Sequence, residues 1–593
     1  MTEPLAIEDP NDVHRAFGAT GQLRDFNLVG VLSAADVHVA TTIGRLGGEA
    51  DELVLLAAAL AVRGVRQGSV CIDLTEQPQV NPELEWPDAT EWSARVQRSG
   101  LVAGNGPLRW DMGLLYLDRY WWQEIQVCAD LLSRADAAPP PVDQVRLRAG
   151  LDRLFPEVDL QRRAAEMAAA RWITVLGGGP GTGKTFTIAR LLALLLDQPG
   201  PKLRVALAAP TGKAAARLQE AVEQVRASFA ADDQRRLGPL TASTMHRLLG
   251  PMHGVGSRFK YNRENRLPFD IIVVDETSMV SLTMMARLLE AVRADARLIL
   301  VGDPDQLASV EAGAVLADLV AGLTARPLPR PLTQRHGVAD DGSPHGVVVL
   351  RHTFRFFGKI AALAAAVRAG DSDTALGILT SGGADISFDE AGLRDDVVRS
   401  AAELRAASVA GDAPAALAAL DRHRVLCAHR TGPFGVEDWS WQIERWLAED
   451  RDGPPEGNFY LGRPLLVTAN DHLLGLYNGD TGVVVAGPGG PTGEPRVAFA
   501  RAGGIVTFAP SRLSGVQTVH AMTVHRSQGS QFEKVTLVLP EPDSPLLTRE
   551  MLYTGLTRAQ RHIRIVGTEE SVREAIGRRA ARASGLRERL ARG

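Results

Sequence analysis

The octapeptide Gly178-Gly179-Pro180-Gly181-Thr182-Gly183-Lys184-Thr185 constrains this chain more than any other stretch. An apolar run, residues 172–176, precedes it, and an apolar helical stretch ending near Leu196 follows it. The octapeptide fits G-x-x-x-x-G-K-[ST] in full, in the strand-then-helix context the motif requires. Its glycines let backbone N–H groups wrap phosphate oxygens, and the helix N-terminus adds a favourable dipole. Lys184 then reaches the outer phosphates, and the Thr185 hydroxyl suits Mg²⁺. A chance glycine turn would lack both flanks. The motif implies an α/β domain whose parallel strands carry functional loops at their C-terminal ends.

Further short apolar runs fit that domain: residues 205–209, 271–274 and 298–301, each closed by a Gly, Pro or Asp cluster. Asp275-Glu276 follows the second of them directly. A buried strand there delivers Asp275 to Mg²⁺ and Glu276 to a water poised at the γ-phosphate. An isolated Asp-Glu pair would be a solvated turn; after four strand formers it is a catalytic pattern. Gly302-Asp303-Pro304-Asp305-Gln306 follows the third run. Gln306 is placed to sense the γ-phosphate and couple it to DNA, the bland alternative being a polar loop.

A second α/β set follows, with strands expected at 425–428, 535–539 and 563–566. Between them, residues 462 to about 519 alternate short strands with Asn478-Gly479-Asp480 and a Gly/Pro-rich stretch. That is the pattern of an antiparallel β insertion. Upstream, residues 1–140 carry mainly helical periodicity, with helices expected at 53–66 and 114–133. The second of these bears Tyr116, Tyr120, Trp121 and Trp122, a stripe for a core or a partner. Pro139-Pro140-Pro141 cannot continue a helix and marks a stiff linker. The expected division is therefore 1–140, 145–335, 336–575 with the insertion inside it, and a basic tail at 576–593. From Arg573 to Arg592 the chain holds seven arginines and two glutamates, the composition of a solvated helix.

Composition narrows the class. The 593 residues are 45% hydrophobic and 23% charged, enough for several buried cores. Basic residues number 65 and acidic residues 70, a net charge of −5, which excludes coating nucleic acid by overall basicity. A local basic track remains open. Cys71, Cys128 and Cys427 show no C-x-x-C spacing, which disfavours a disulfide framework or zinc ribbon and points to a reducing cytosol. The longest apolar run, residues 53–62, is half a membrane span, and the acidic start lacks a signal-peptide core. A membrane protein is not expected.

In order along the chain, these residues resemble superfamily 1 helicases. Gln161 stands where that family reads adenine. The stretch Ala209-Pro210-Thr211-Gly212-Lys213-Ala214-Ala215 resembles its first DNA-contact motif. So does Ser243-Thr244-Met245-His246-Arg247-Leu248-Leu249-Gly250 its next. Thr353-Phe354-Arg355-Phe356 occupies the motif that lends an arginine to the γ-phosphate. Residues 521–530, with Thr523 and His525, resemble the fifth motif. Residues 553–559 resemble the sixth, which makes Arg558 the arginine finger.

The similarity is closer still to the RecD family, α subunits of exodeoxyribonuclease V (RecBCD). Gly432-Pro433-Phe434-Gly435-Val436, Leu474-Gly475-Leu476-Tyr477-Asn478-Gly479-Asp480 and Leu115-Tyr116-Leu117-Asp118-Arg119-Tyr120 extend the likeness nearly end to end. The resemblance implies an α/β fold: two RecA-like P-loop NTPase domains behind a mainly helical N-terminal domain, with an SH3-like β insertion at about 462–518. It implies Mg²⁺-ATP in the cleft and single-stranded DNA across the top, with 5′→3′ movement from double-stranded ends. RecB-like and RecC-like partners would dock on the N-terminal domain, and the motor would work in the bacterial cytoplasm at the nucleoid. Residues 251–268 would be a reduced insertion in the first motor. Asn470 joins the candidate DNA contacts. For His246 and His525 a loop-bracing role stands beside DNA contact, and Phe434 fits either a base stack or a core.

Other classes fit less well. A protein-remodelling AAA+ switch wants a polar sensor, usually Asn, after residues 298–301, and a helical lid. A superfamily 2 helicase wants S-A-T and Q-x-x-G-R-x-x-R, and neither occurs. No carboxylate–lysine constellation for a nuclease is left over, so the resemblance puts any cutting on the RecB partner. A stand-alone RecD-like helicase is the alternative; it would share this chemistry and usually carries a longer N-terminal extension.

Overall fold

The computed structural model describes residues 15–252, 258–326, 344–353, 358–450, 457–471, 473–501 and 504–593. The N-terminal segment closes a core of its own around Phe26, Leu56, Leu60 and Trp92. Its spine is the helix Glu52–Arg66, where the apolar run puts it; Asp51 caps it by accepting from the Leu53 N–H at 2.9 Å. A small antiparallel sheet joins it: β1 (Cys71–Ile72), β2 (Leu108–Asp111) and β3 (Leu114–Leu117), in the order β1-β3-β2. The expected helix at 114–133 thus starts late, as Asp118–Ala135. A two-residue turn is the cause. Met112 and Gly113 take φ of 51° and 81°, which folds Asp111 back onto Leu114.

The proline linker does not separate two packing units. Helix Asp118–Ala135 contributes Val127, Cys128 and Leu131 to the same core as Val175, Met285 and Leu300 of the first motor. Arg134, buried, donates to the carbonyls of Val292 at 2.8 Å and Ala296 at 3.3 Å.

The first motor is a parallel sheet with helices on both faces. Its strands are β4 (Ile173–Gly178), β5 (Val205–Ala209), β6 (Ala242–Thr244), β7 (Ile271–Val274), β8 (Arg297–Gly302) and β9 (Val347–Leu350). The order is β6-β5-β7-β8-β4-β9. Val- and Ile-rich runs suit strands covered on both faces, and β4 and β7 are buried at every position.

The second motor is also parallel: β10 (Ile386–Phe388), β11 (His423–Cys427), β17 (Ala521–Thr523), β18 (Phe532–Val538) and β19 (Ala559–Val566), ordered β10-β19-β18-β11-β17. Between β11 and β17 the chain builds an antiparallel sheet of β12 (Pro464–Val467), β13 (Thr481–Val485), β14 (Arg496–Arg501), β15 (Gly504–Phe508) and β16 (Val516–Thr518). Its order is β15-β14-β13-β12-β16, and it fills the stretch expected for the insertion.

The solvated tail expected at the C-terminus is corrected. Helix Leu586–Arg592 buries Leu586 and Leu590 in the first motor's core. Gly322, on helix Val315–Ala325, permits the approach: a Cβ there would lie 2.8 Å from the Arg587 carbonyl. Arg589 is paired with Asp111 at 2.6 Å and with Glu124, fully buried, at 2.8 Å. The tail straps the second motor back to the first and to the N-terminal segment. The Arg589 charge is neutralised by carboxylates distant in sequence, which a local charge count does not see. Among the described residues no helix is long and apolar enough to cross a membrane.

Candidate nucleotide cleft and nucleic-acid track

Strand β4 ends at Gly178, and the loop turns through Gly181 and Gly183 with φ of 77° and 84°. A side chain at either position would be strained, so the motif's glycines are needed for backbone shape. Helix Lys184–Leu196 starts at once, aiming its first amides at the loop. Lys184 Nζ donates to the carbonyls of Gly178 at 2.7 Å and Gly179 at 3.0 Å. Gln161, nearly buried, donates to the Thr182 carbonyl at 3.3 Å, tying the expected adenine reader to the loop.

Strand β7 delivers Asp275 and Glu276. Glu276 takes φ of 53°, a left-handed value rare for a side chain of this kind, and its N–H donates to Asp275 Oδ1 at 2.8 Å. Strain of this sort clusters at working sites. Burial, then the neighbouring Glu276, pushes the Asp275 carboxyl up, while Lys184 opposes. Two adjacent carboxylates facing a lysine and the Thr185 hydroxyl form a donor set that suits a hard cation. Strand β8 ends in Asp303, pushed up to about 6 by burial with Lys184 opposing. Gln306, buried, donates to Asp303 Oδ2 at 2.9 Å.

The opposite wall comes from the second motor. Arg558 is 3% exposed, and its guanidinium donates only to Thr554 O at 3.0 Å, Ser530 O at 3.3 Å and Thr557 Oγ1 at 3.4 Å among the described residues. Burial lowers its pKa, with Glu276 and Asp303 opposing. One cavity of about 1010 Å³ is lined by Pro180, Lys184, Thr185, Asp275, Glu276, Gln306 and Arg558. Arg355 lies outside the described residues.

Residues absent from the sequence-based site close the seam. Tyr553 donates to Asp303, and its hydroxyl lies 2.8 Å from where a Cβ on Gly179 would stand. Thr554 Oγ1 accepts from the Leu307 N–H at 2.8 Å, and Gln528 donates to the Leu307 carbonyl at 2.7 Å. Arg217, lining the same cavity, donates to the Gly529 carbonyl. Tyr553 and Thr554 sit in the same motif as Arg558, which is the signal that could have found them.

The candidate nucleic-acid residues line other loops, and four of them bond nearby backbone amides. Thr211, next to Pro210, caps helix Gly212–Ala227 by accepting from Ala214 N at 3.2 Å. Thr244 caps the next short helix by accepting from Arg247 N at 3.2 Å. Thr523 accepts from Arg526 N at 3.3 Å, and Asn470 from Asn478 N at 2.9 Å. Ser243 is half-buried in the middle of β6. His246 is exposed, 5.9 Å from the Phe259 ring. His525 is half-buried, and burial and then Arg582 lower its pKa. Lys213 faces the seam: burial, then Arg217, pushes it down to about 8, with Asp421 and Asp480 opposing. Tyr477 of the inserted sheet presses on Gly212, where a Cβ would meet its ring at 2.5 Å. Phe434 packs half-buried against the second motor's core.

A P-loop sheet facing an arginine-bearing second sheet defines the superfamily 1 helicase motor. Family models agree: an AAA domain matches residues 161–312, and a UvrD-like helicase C-terminal domain matches 518–566. The N-terminal domain of RecBCD enzyme subunit RecD matches residues 29–116. The chain is 54% identical to RecBCD enzyme subunit RecD of Mycobacterium tuberculosis, over 98% of both chains. It is 53% identical to that of Mycolicibacterium smegmatis, over 94% of this chain and 98% of the other. An ATP-dependent RecD2 DNA helicase of Deinococcus radiodurans is 31% identical over 72% of this chain and 52% of its own length. The chain belongs to the RecD family.

Proposed function

We infer that this protein is an ATP-driven 5′→3′ DNA translocase and helicase, the motor subunit of a RecBCD-type complex acting on double-stranded DNA ends. The carrying observation is the shared cavity: Lys184, Asp275, Glu276 and Gln306 from one sheet, Arg558 from the other. In this reading the loop amides and Lys184 hold the ATP phosphates, and Glu276 orients the attacking water. Thr185 and Asp275 would hold Mg²⁺, which neutralises charge on the phosphates. Arg558 reaches the γ-phosphate only across the seam, so hydrolysis depends on how the two sheets meet. The hydrogen bonds from Gln528 and to Thr554 carry that state to the loop holding Gln306.

DNA as the track and RecB-like and RecC-like partners are supported by the family and by end-to-end similarity to RecD subunits. The stand-alone reading is weaker, since the chain matches only 52% of the RecD2 helicase. Action on DNA ends would place the protein in the cytoplasm, at the nucleoid. The test is strand displacement by the purified chain, with and without co-expressed partners. Unwinding should require a 5′ single-stranded tail, and Lys184→Ala should abolish DNA-stimulated ATP hydrolysis while keeping the fold. Unwinding from 3′ tails alone would overturn the polarity. Wild-type turnover by Lys184→Ala would overturn the site.

A further inference from the structure

Helix Val436–Asp450 carries three tryptophans with different fates. Trp439 and Trp446 turn into the second motor's core, ring centroids 6.3 Å apart. Trp441 is left 61% exposed. An indole in water needs a reason, because burying it is worth more than almost any other side chain. It lines a cavity of about 320 Å³ with Ser440, Thr523, Gln517, Arg430 and Arg526. Thr523 is a candidate DNA residue at the end of β17, and Gln517 belongs to β16 of the inserted sheet.

The two arginines belong to different loops but line the same cavity; burial, then Arg430, lowers the pKa of Arg526. Both are exposed. Neither side chain has an ion-pair partner among the described residues, whereas Arg394, Arg422 and Arg445 of the same motor do. Two unneutralised guanidinium groups held together attract an anion that spans them. Glu437 and Glu444 also line the cavity, so it is no polyanion trap. Arg445 already stacks on Trp441, 5.1 Å from the ring.

We propose that Trp441, Arg430 and Arg526 form a nucleotide subsite for single-stranded DNA that extends the fifth motif, in which Arg526 lies: one base stacks on the indole while its phosphate meets the arginine pair. The subsite extends the track past Thr523, along the junction of the second motor and the inserted sheet. Stacking accepts any base, as a translocating motor requires, and the two glutamates keep the grip releasable. This inference rests on the DNA-motor reading above.

The test measures binding of a fluorescein-labelled oligothymidylate to the full chain, with a non-hydrolysable ATP analogue present. Trp441→Ala should weaken affinity about 10-fold, and Trp441→Phe should recover most of it. DNA-free ATP hydrolysis should be unchanged in both. Arg430→Gln and Arg526→Gln should each flatten the slope of log affinity against log salt by about 0.7. An oligonucleotide with 5-iododeoxyuridine scanned along it should photocrosslink to Trp441 from one position only. Wild-type affinity in Trp441→Ala, alongside a loss in Thr523→Ala, would overturn the subsite and leave the motor reading standing. A Trp441→Ala chain that binds DNA normally but no longer co-purifies with RecB-like and RecC-like subunits would overturn it in favour of a protein contact. Failure of the wild-type chain to bind DNA at all would sink both readings.

Discussion

The nucleotide cleft and the nucleic-acid track use polar side chains in opposite ways. In the cleft, strands β7 and β8 carry carboxylates into burial, where Asp275 and Asp303 are pushed up and Arg558 is pushed down. Burial there disfavours each charged form when alone, so a carboxylate gains most from a bound cation and Arg558 from a reacting phosphate. On the track, Thr211, Thr244, Thr523 and Asn470 are half-exposed or exposed and satisfied by neighbouring backbone amides. The electrostatic load there falls on Lys213 and His525, both pushed down by burial. The contrast teaches how a chain of net charge −5 can work on a polyanion: chemistry is charged and dry, grip is neutral and wet.

Breaking the cleft should therefore cost far more than breaking the track. Arg558→Ala removes a cleft cation supplied by the second motor, and DNA-stimulated ATP turnover should fall about 1,000-fold. ATP affinity should change far less, as equilibrium binding of a fluorescent ATP analogue would show. Equal losses in binding and turnover would mean that Arg558 is structural. Glu276→Gln should slow hydrolysis about 100-fold while retaining ATP, measured by single-turnover phosphate release. Normal release would reject Glu276 as the water-orienting base. On the track the scale drops. Thr211→Ala should lose a helix cap worth about 1 kcal/mol and weaken single-stranded DNA binding severalfold, with DNA-free hydrolysis untouched. Thr211→Ser should restore both; a serine variant as weak as the alanine would show that the methyl group, not the hydroxyl, matters.

What the sequence made legible follows the same divide. Strands β5 and β7 fall where expected because Val/Ala and Ile/Val runs end sharply at Pro210 and Asp275. The P-loop was legible because its spacing is dictated by phosphate geometry. Long-range partners were not. No local pattern shows that Tyr553 will meet Gly179, or that Arg217 will bond Gly529, over 300 residues away. Strand β3 hid behind Met112, a residue that seldom takes positive φ. The C-terminal strap hid because Arg589 finds its carboxylates at Asp111 and Glu124.

Lys213 is where the two regions meet, and it offers the subtlest test. Its ammonium is pushed down to about 8 by burial and then by Arg217, against Asp421 and Asp480. A lysine is a cation below its pKa, so Lys213 is charged at pH 7 and mostly neutral by pH 9. If it meets a DNA phosphate, affinity for single-stranded DNA should be full below pH 8 and decline above it. One half-buried charge contact is worth about 1 kcal/mol, so the decline should be about fivefold. Bound phosphate favours the charged form, which moves the decline to higher pH in the complex than in the free chain. Lys213→Arg keeps its charge throughout and should flatten the profile between pH 7 and 9. Fluorescence anisotropy at fixed salt across that range would decide it. A wild-type profile as flat as the arginine variant's would assign Lys213 to the seam, holding Asp480 and Asp421, and leave the track to its hydroxyls.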